Sequence, residues 1–100
     1  MVKLGLFVRL QAKAGQEAEL GRFLRQGLEL ANQEGTTPVW FAVQFDERTY
    51  AIFDAFDDEP GRQAHLNGRI AAALMAKAPE LLAEPPRIEK FDVIGAKLPR

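Results

Sequence analysis

Two residues of this chain are the candidates for proton transfer, His65 and Asp54. His65 is the single histidine, and histidine titrates near neutral pH. Asp54 lies among apolar residues, where a carboxylate needs a hydrogen-bonding or charged partner. One interpretation joins Asp54 and His65 as an oriented acid–base pair. The other leaves His65 at a helix boundary, satisfied by a backbone carbonyl or by solvent, and pairs Asp54 with Arg9 or with the start of the next helix.

Aromatic residues are concentrated in the middle of the chain, between residues 40 and 56. Most of them suit a core or an interface, whereas some can form the walls of a pocket for a flat ring. The candidate pocket walls are Trp40, Phe41, Tyr50 and Phe53. Arg9 either binds an anionic group of a ligand or forms an ion pair on the sheet.

The composition excludes several other kinds of site. The chain has no cysteine, which excludes disulfides, zinc–thiolate sites, iron–sulfur clusters and a cysteine nucleophile. A single histidine excludes a multi-histidine metal site within one chain, and we expect no metal. Phosphate-binding glycine loops, GxSxG, HExxH and EF-hand patterns are also missing. Thirteen basic and fourteen acidic residues leave a net charge of −1, so we expect no nucleic-acid partner.

Hydrophobic periodicity predicts six elements. Alternating apolar residues predict strands over residues 2–11, 39–46, 49–56 and 87–94. Apolar residues at three- and four-residue steps predict helices over residues 16–33 and from residue 57 to about 77, with Pro79 interrupting the second. The order β-α-β-β-α-β predicts an α+β, ferredoxin-like fold, a four-stranded antiparallel sheet with two helices on one face. We expect one domain over residues 1–100, with a loose tail over residues 95–100.

Both faces of the predicted sheet are apolar. Neighbouring apolar residues that point to opposite faces are Leu6 and Phe7, Trp40 and Phe41, Ile52 and Phe53, and Phe91 and Ile94. An antiparallel sheet with a solvated second face should be polar on that side. Since the helices cover one face only, we expect a second copy of the chain to cover the other, in a homodimer through the sheet face.

No segment has the pattern of a leader or of a membrane anchor. The apolar run at residues 1–9 is interrupted by Lys3 and ended by Arg9, and no later stretch approaches 18 uncharged apolar residues. We therefore expect a cytoplasmic protein without a membrane partner.

The order and spacing of several short motifs resemble those of the antibiotic biosynthesis monooxygenase family of dimeric α+β barrels. The motifs are the alternating first strand, the helix start at 13–20, the turn at 34–36, the strand end at 51–58, and Ala64-His65-Leu66. The resemblance extends over nearly the whole chain. Within it, Asp54 matches a position where the family usually has glutamate, and His65 matches the frequent histidine of the second helix.

The resemblance implies a monooxygenase that oxidises a small aromatic quinol or phenol to a quinone with molecular oxygen and no cofactor. His65 would be the base or hydrogen-bond partner and Asp54 would orient it, in a dry pocket with aromatic walls. Two alternatives stay open. One is a non-catalytic dimer that binds a small molecule or has a structural role, and the other is an isomerase or decarboxylase on the same scaffold.

The chain departs from the family pattern at several positions. The segments at residues 36–38 and 67–70 lack the usual sequences. Val8 and Met75 stand where the haem-degrading branch has asparagine and histidine. These departures disfavour haem degradation.

Overall fold

The computed structural model describes residues 1–99, and it contains four strands and three helices. In chain order they are β1 (Leu4–Gln11), α1 (Glu17–Asn32), β2 (Val39–Gln44), β3 (Thr49–Phe56), α2 (Glu59–Leu66), α3 (Arg69–Leu81) and β4 (Arg87–Asp92). This arrangement confirms the predicted α+β, ferredoxin-like fold. β3 has the predicted bounds, and the other strands are shorter than predicted. Residues 95–99 have no regular secondary structure, and residue 100 of the predicted tail lies outside the described residues.

The four strands form one antiparallel sheet in the order β2-β3-β1-β4. Asp54 of central strand β3 lies opposite Leu6 of β1 on one side and Trp40 of β2 on the other. Residues directly opposite each other on neighbouring strands point to the same face. The register therefore places Leu6, Asp54 and Trp40 side by side on one face of the sheet.

The helices cover the face that carries the even-numbered residues of β1 and β3. The buried residues of α1 recur every three or four positions and therefore lie on one side of the helix. This side packs on the strand face, where every second residue points towards the helices. The core cluster consists of Val8, Leu10, Ala12, Leu20, Leu24, Tyr50, Ile52, Leu74, Ala78, Leu81 and Leu82. Asp54 lies on this covered face and is fully buried.

The predicted second helix is wrong in one respect, because it is divided into α2 and α3 at Asn67 and Gly68. Gly68 is the extended residue that precedes α3. A Cβ atom on it would lie 2.9 Å from Oε2 of Glu34 and 3.2 Å from the carbonyl oxygens of Ala64 and His65. Glycine at this position lets α3 start anew while the chain passes close to Glu34.

Pro79 does not interrupt the helical pattern, contrary to the prediction. It lies inside α3, which continues to Leu81. A proline lacks an N–H group, but the N–H of Leu82 still donates to the carbonyl of Ala78 and closes the last turn. None of the helices within residues 1–99 combines the length and the apolar character needed to cross a lipid bilayer.

The opposite face of the sheet carries a group of aromatic side chains, which we call the aromatic face. Its members are Phe7, Phe41, Phe45, Phe53 and Phe91. The rings of Phe53 and Phe91 stack with centroids 5.2 Å apart, and the ring of Phe41 lies 6.3 Å from that of Phe53. Phe41 and Phe45 are more than half exposed, at 55% and 56%. No helix of the described chain covers this face. Its aromatic side chains agree with the sequence pattern, which predicts that both faces of the sheet are apolar.

Candidate active site

His65 of α2 lies between two carboxylates beneath the helices. Its Nε2 atom is 3.0 Å from Oδ2 of Asp54, and its Nδ1 atom is 2.6 Å from Oε1 of Glu34. His65 is 6% exposed and Asp54 is fully buried. The hydroxyl of Thr37 donates to Oε1 of Glu34 at 2.9 Å and lies 3.4 Å from Nδ1 of His65. These four residues form what we call the histidine–carboxylate cluster.

The start of α2 holds His65 in place over the sheet. Asp58 caps the helix by accepting a hydrogen bond from the N–H of Gly61 at 2.9 Å, as its acidic sequence predicts. Buried Arg62 donates to the carbonyl of Gly5 in β1 at 3.2 Å and thereby ties α2 to the sheet. The ring of Phe56 lies 5.4 Å from the imidazole of His65. The imidazole therefore has a fixed position relative to β3.

Burial and charge act in opposite directions on the titration of the cluster. Burial raises the pKa of Asp54 above its ordinary value, although the contact with His65 opposes this. Burial by itself would lower the pKa of His65, but Asp54 and Glu34 more than compensate, so that the pKa is raised. Neither carboxylate oxygen of Asp54 has a hydrogen bond of good geometry, despite the short distance to Nε2. The cluster thus favours a protonated imidazole with a carboxylate at each ring nitrogen.

Glu34 connects the cluster with the protein surface. Its side chain is 17% exposed and borders a small pocket of about 210 Å³ between the end of α1 and the break at Gly68. Protons can reach His65 from this side through the Glu34 carboxylate, although Asp54 itself is sealed.

A second and larger space lies between α1 and the edge strand β2, and we call it the aromatic cleft. It has a volume of about 790 Å³. Its lining residues are Glu17, Ala18, Gly21, Arg22, Leu24, Arg25, Leu28, Trp40, Phe41, Ala42, Val43, Gln44 and Tyr50. The cleft is open because the helices leave residues 41–44 of β2 exposed. Its volume is of the size that holds a small organic molecule.

Trp40 borders both the cleft and the cluster. Its indole lines the cleft and packs on α1 at Gly27, where a Cβ atom would lie 3.5 Å from the ring. Its position in the sheet is directly opposite Asp54, on the same face. The indole N–H is buried and has no hydrogen-bond partner among the described residues. Trp40 is therefore the residue of the cleft lining that lies directly beside Asp54 in the sheet.

The structure brings together some of the predicted site residues and separates others. Trp40, Phe41 and Tyr50 line the aromatic cleft. Phe53 lies on the opposite face of the sheet, and so does Arg9. The cleft lining includes neither His65 nor Asp54, so the candidate catalytic residues and the candidate pocket walls form two sites.

Arg9 does not pair with Asp54, which corrects one of the two interpretations of that carboxylate. The guanidinium of Arg9 lies over the rings of Phe7 and Phe45, at 5.5 and 5.2 Å from their centroids. In the register, Arg9 is opposite Ala51, an odd-numbered residue whose side chain points away from that of Asp54. The other interpretation of His65, with a backbone carbonyl or solvent as its partner, also differs from the structure, where the partners are carboxylates.

Glu34 and Thr37 are site residues that the sequence analysis missed. They follow α1 and lie 31 and 28 positions away from His65, so no local pattern connects them with it. One signal was available. An acidic residue directly after a helix C-terminus meets the negative end of the helix dipole, and such a residue needs a positive partner.

Within residues 1–99, no group of three histidine or acidic side chains has the geometry of a metal site. Both ring nitrogens of His65 already face carboxylates. The cluster is therefore arranged for holding protons on the imidazole, whereas the cleft is arranged for holding a ligand.

Solved structures show the same fold in other proteins. A protein of unknown function from Nitrosomonas europaea, NE2512, is 61% identical to this chain, with a TM-score of 0.98. The alignment covers 100% of this chain and 97% of that protein. No protein-family model matches the sequence, and no curated protein matches it.

Two more distant structures are of proteins proposed to be antibiotic biosynthesis monooxygenases. The one from Nitrosomonas europaea is 14% identical, with a TM-score of 0.83, and the alignment covers 92% of this chain and 99% of that one. The one from Caulobacter crescentus is 16% identical, with a TM-score of 0.81, and the coverage is 94% and 92%. These matches confirm the resemblance to that group at the level of the fold. The 61% identity over the full length shows more, namely that this chain belongs to the same family as NE2512 of Nitrosomonas europaea.

Proposed function

We propose that the protein is a monooxygenase that oxidises a small phenol or quinol to a quinone without a cofactor. The observation that carries the proposal is the aromatic cleft, whose volume of about 790 Å³ and walls of Trp40 and Tyr50 suit a flat ring. The shared fold with proteins proposed to be monooxygenases supports the same class of chemistry. In such a reaction a phenol and molecular oxygen give a quinone and water.

His65 is the proton acceptor in this proposal, and it acts in its neutral form, which becomes populated as the pH rises through the raised pKa of the imidazole. Removing the phenolic proton makes the ring electron-rich enough to give an electron to oxygen directly. Asp54 orients the imidazole through Nε2, and Glu34 carries the proton on from Nδ1 towards the surface. Since Trp40 stands between the cleft and Asp54, the proposal requires the indole to move aside when the ring binds.

A second candidate function is a protein that binds a small aromatic molecule without transforming it. The separation of the cleft from His65 favours this function, because a binding protein needs no contact between the two. The two candidates share the same ligand site and differ in whether His65 takes part.

We also propose that the protein acts as a homodimer that is joined through the aromatic face. Exposed rings of Phe41 and Phe45 on a sheet face are unfavourable in water, and a second copy offers a matching surface. Phe41 belongs to the aromatic face and also lines the cleft. Dimer formation would therefore complete the rim of the cleft.

The decisive experiment is oxygen consumption with a panel of quinols and anthrone-like phenols in the presence of a chelator. The wild-type protein is compared with His65→Ala and with the more conservative His65→Gln, each checked for folding by circular dichroism. We expect uptake by the wild type and a decrease of at least about tenfold in both variants, which corresponds to about 1.4 kcal/mol in the barrier. Met75→Ala, on the exposed side of α3, serves as the control and should keep full activity.

Two other outcomes decide against parts of the proposal. Equal uptake by the wild type and both variants would remove His65 from the reaction. No uptake above background, together with ligand binding in the cleft, would favour the binding protein.

A further inference from the structure

The charged side chains around the aromatic cleft differ in whether they have an ion-pair partner. Glu17 forms an ion pair with Arg48 at 3.1 Å, and Arg22 forms one with Glu19. Arg25 also lines the cleft, but no carboxylate among the described residues lies within 4 Å of its guanidinium. The cleft therefore presents one cationic group that is not yet neutralised.

The guanidinium of Arg25 lies along the wall of the cleft. A Cβ atom on Gly21, one turn earlier in α1, would be 3.5 Å from Nη1 of Arg25. The side chain thus extends back over the glycine, into the space that Gly21 and Trp40 both border. A guanidinium suits a carboxylate because its N–H groups match the two oxygens in one plane.

We infer that the ligand of the cleft is a planar aromatic carboxylate, with its ring against Trp40 and its carboxylate on Arg25. The inference rests on the proposed function, since it names the class of molecule that the same cleft takes. A flat ring fits the aromatic wall, and a negative group fits the unpaired arginine.

Trp40 is the single tryptophan of the chain, so its fluorescence reports on the cleft directly. The probes are 4-hydroxybenzoate and 4-hydroxybenzamide, which differ in charge and keep the same ring and hydroxyl group. We expect both to quench the fluorescence, and the benzoate to bind about fivefold more tightly at low ionic strength. This preference should weaken in high salt, because salt screens the interaction with the guanidinium.

Two variants test whether Arg25 causes the preference for the benzoate over the benzamide. Arg25→Gln should bind the two probes equally. Arg69→Gln is the matched control, because Arg69 lies on α3, away from the cleft, and contacts Gln33. It should keep the full preference for the benzoate.

The outcomes distinguish this inference from the proposed function. Equal binding of benzoate and benzamide by the wild type would overturn the carboxylate while leaving an aromatic ligand. A preference that persists in Arg25→Gln would overturn the role of that residue. Absence of quenching by either probe would overturn the cleft as the ligand site and the proposed function with it.

Discussion

The histidine–carboxylate cluster and the aromatic cleft lie on the same face of one sheet but are built in opposite ways. The cluster holds titratable groups that are buried against each other. The cleft offers volume, aromatic walls and an unpaired arginine, but it lacks the histidine. Proton transfer and ligand binding are thus separated in this structure, and Trp40 is the residue that borders both.

The difference follows from which strands the helices cover. α2 packs on β1 and β3, and it encloses Asp54 together with His65. β2 is the edge strand, and its residues 41–44 are exposed. The same sheet face is therefore sealed at its centre and open at its edge. Variants in the two regions should affect different properties, stability in the cluster and ligand binding in the cleft.

The largest effect on stability is expected for His65→Ala. The change leaves the carboxylates of Asp54 and Glu34 without their cation, and Asp54 is fully buried, so that solvent cannot replace the cation there. Removing one partner of a buried ion pair typically lowers the free energy of unfolding by about 3–5 kcal/mol. Urea denaturation measures the change.

The cleft provides the control for this prediction. Arg25→Gln alters an exposed side chain without an ion pair and should change the free energy of unfolding by less than about 0.5 kcal/mol. A similar loss in both variants, or a loss below about 1 kcal/mol in His65→Ala, would contradict the contrast between the two regions.

A smaller effect, on association, is expected for Phe53→Glu. In the proposed homodimer Phe53 lies in the middle of the aromatic face, beside Phe41 and Phe91. A carboxylate there would be desolvated without a partner, so we expect the dissociation constant to rise at least about 100-fold. Sedimentation velocity of the wild type and the variant measures it.

The same variant sharpens the comparison of the two regions. Loss of the partner should weaken ligand binding in the cleft, because Phe41 borders both surfaces, and should leave the titration of His65 unchanged. Met75→Glu, an equally polar change at an exposed position of α3, serves as the control. A wild-type protein that sediments as a monomer would refute the dimer itself.

The alternation of the strands carries most of the information that the sequence holds about this site. Even-numbered Tyr50, Ile52 and Asp54 share one face, and this follows from the period of two. The register pairs odd-numbered Arg9 with odd-numbered Ala51, so the side chains of Arg9 and Asp54 point to opposite faces. The register alone therefore excludes an ion pair between them.

Other features depend on tertiary contacts that no local pattern contains. The contact of Glu34 with His65 spans 31 positions and arises only when α2 folds over the end of α1. The break at Gly68 has a local signal in the Asn67-Gly68 dipeptide, but the close approach to Glu34 that requires glycine there is a tertiary contact. The exposure of β2 is a result of where the helices pack, and hydrophobic periodicity does not specify it. For these reasons the fold was predictable, whereas the separation of cleft and cluster was not.

The pH dependence of the free energy of unfolding tests the charge state of the cluster, and the expected effect is of moderate size. The pKa of His65 is raised above its ordinary value of 6.5 by Asp54 and Glu34, which outweigh burial. Folding therefore gains free energy from the protonated imidazole below about pH 6.5, and this gain is lost as the pH rises through the folded-state pKa. The raised pKa of Asp54 acts in the same direction, because the folded state again binds the proton more tightly. Each tenfold increase in the proton affinity of folded His65 adds about 1.4 kcal/mol.

Urea denaturation between about pH 6 and pH 9 measures this loss of stability. We expect the free energy of unfolding of the wild type to fall over this range and that of His65→Gln to fall less steeply, with the remaining slope due to buried Asp54. A wild-type stability that rises over the same range would contradict the assigned charge state of the cluster.

The smallest effect on stability is expected for Gly27→Ala, and it tests whether Trp40 connects the two regions. Alanine in the interior of α1 should raise the free energy of unfolding by about 0.5–1 kcal/mol. The new methyl group would lie 3.5 Å from the indole of Trp40, an ordinary contact that fixes the ring in its present position. If the ring must move for His65 to act, the variant should be more stable and also turn over more slowly.

Gly21→Ala separates these two effects. It lies in the same helix, and its nearest neighbour would be the flexible guanidinium of Arg25, at 3.5 Å, instead of Trp40. It should gain a similar stability and keep its rate of oxygen uptake at saturating substrate, where a change in the cleft lining at Gly21 alters binding but not turnover. Equal rates in Gly27→Ala and Gly21→Ala would mean that the indole does not gate the reaction. The cleft and the cluster would then have to communicate by another path, or the cluster would serve stability alone.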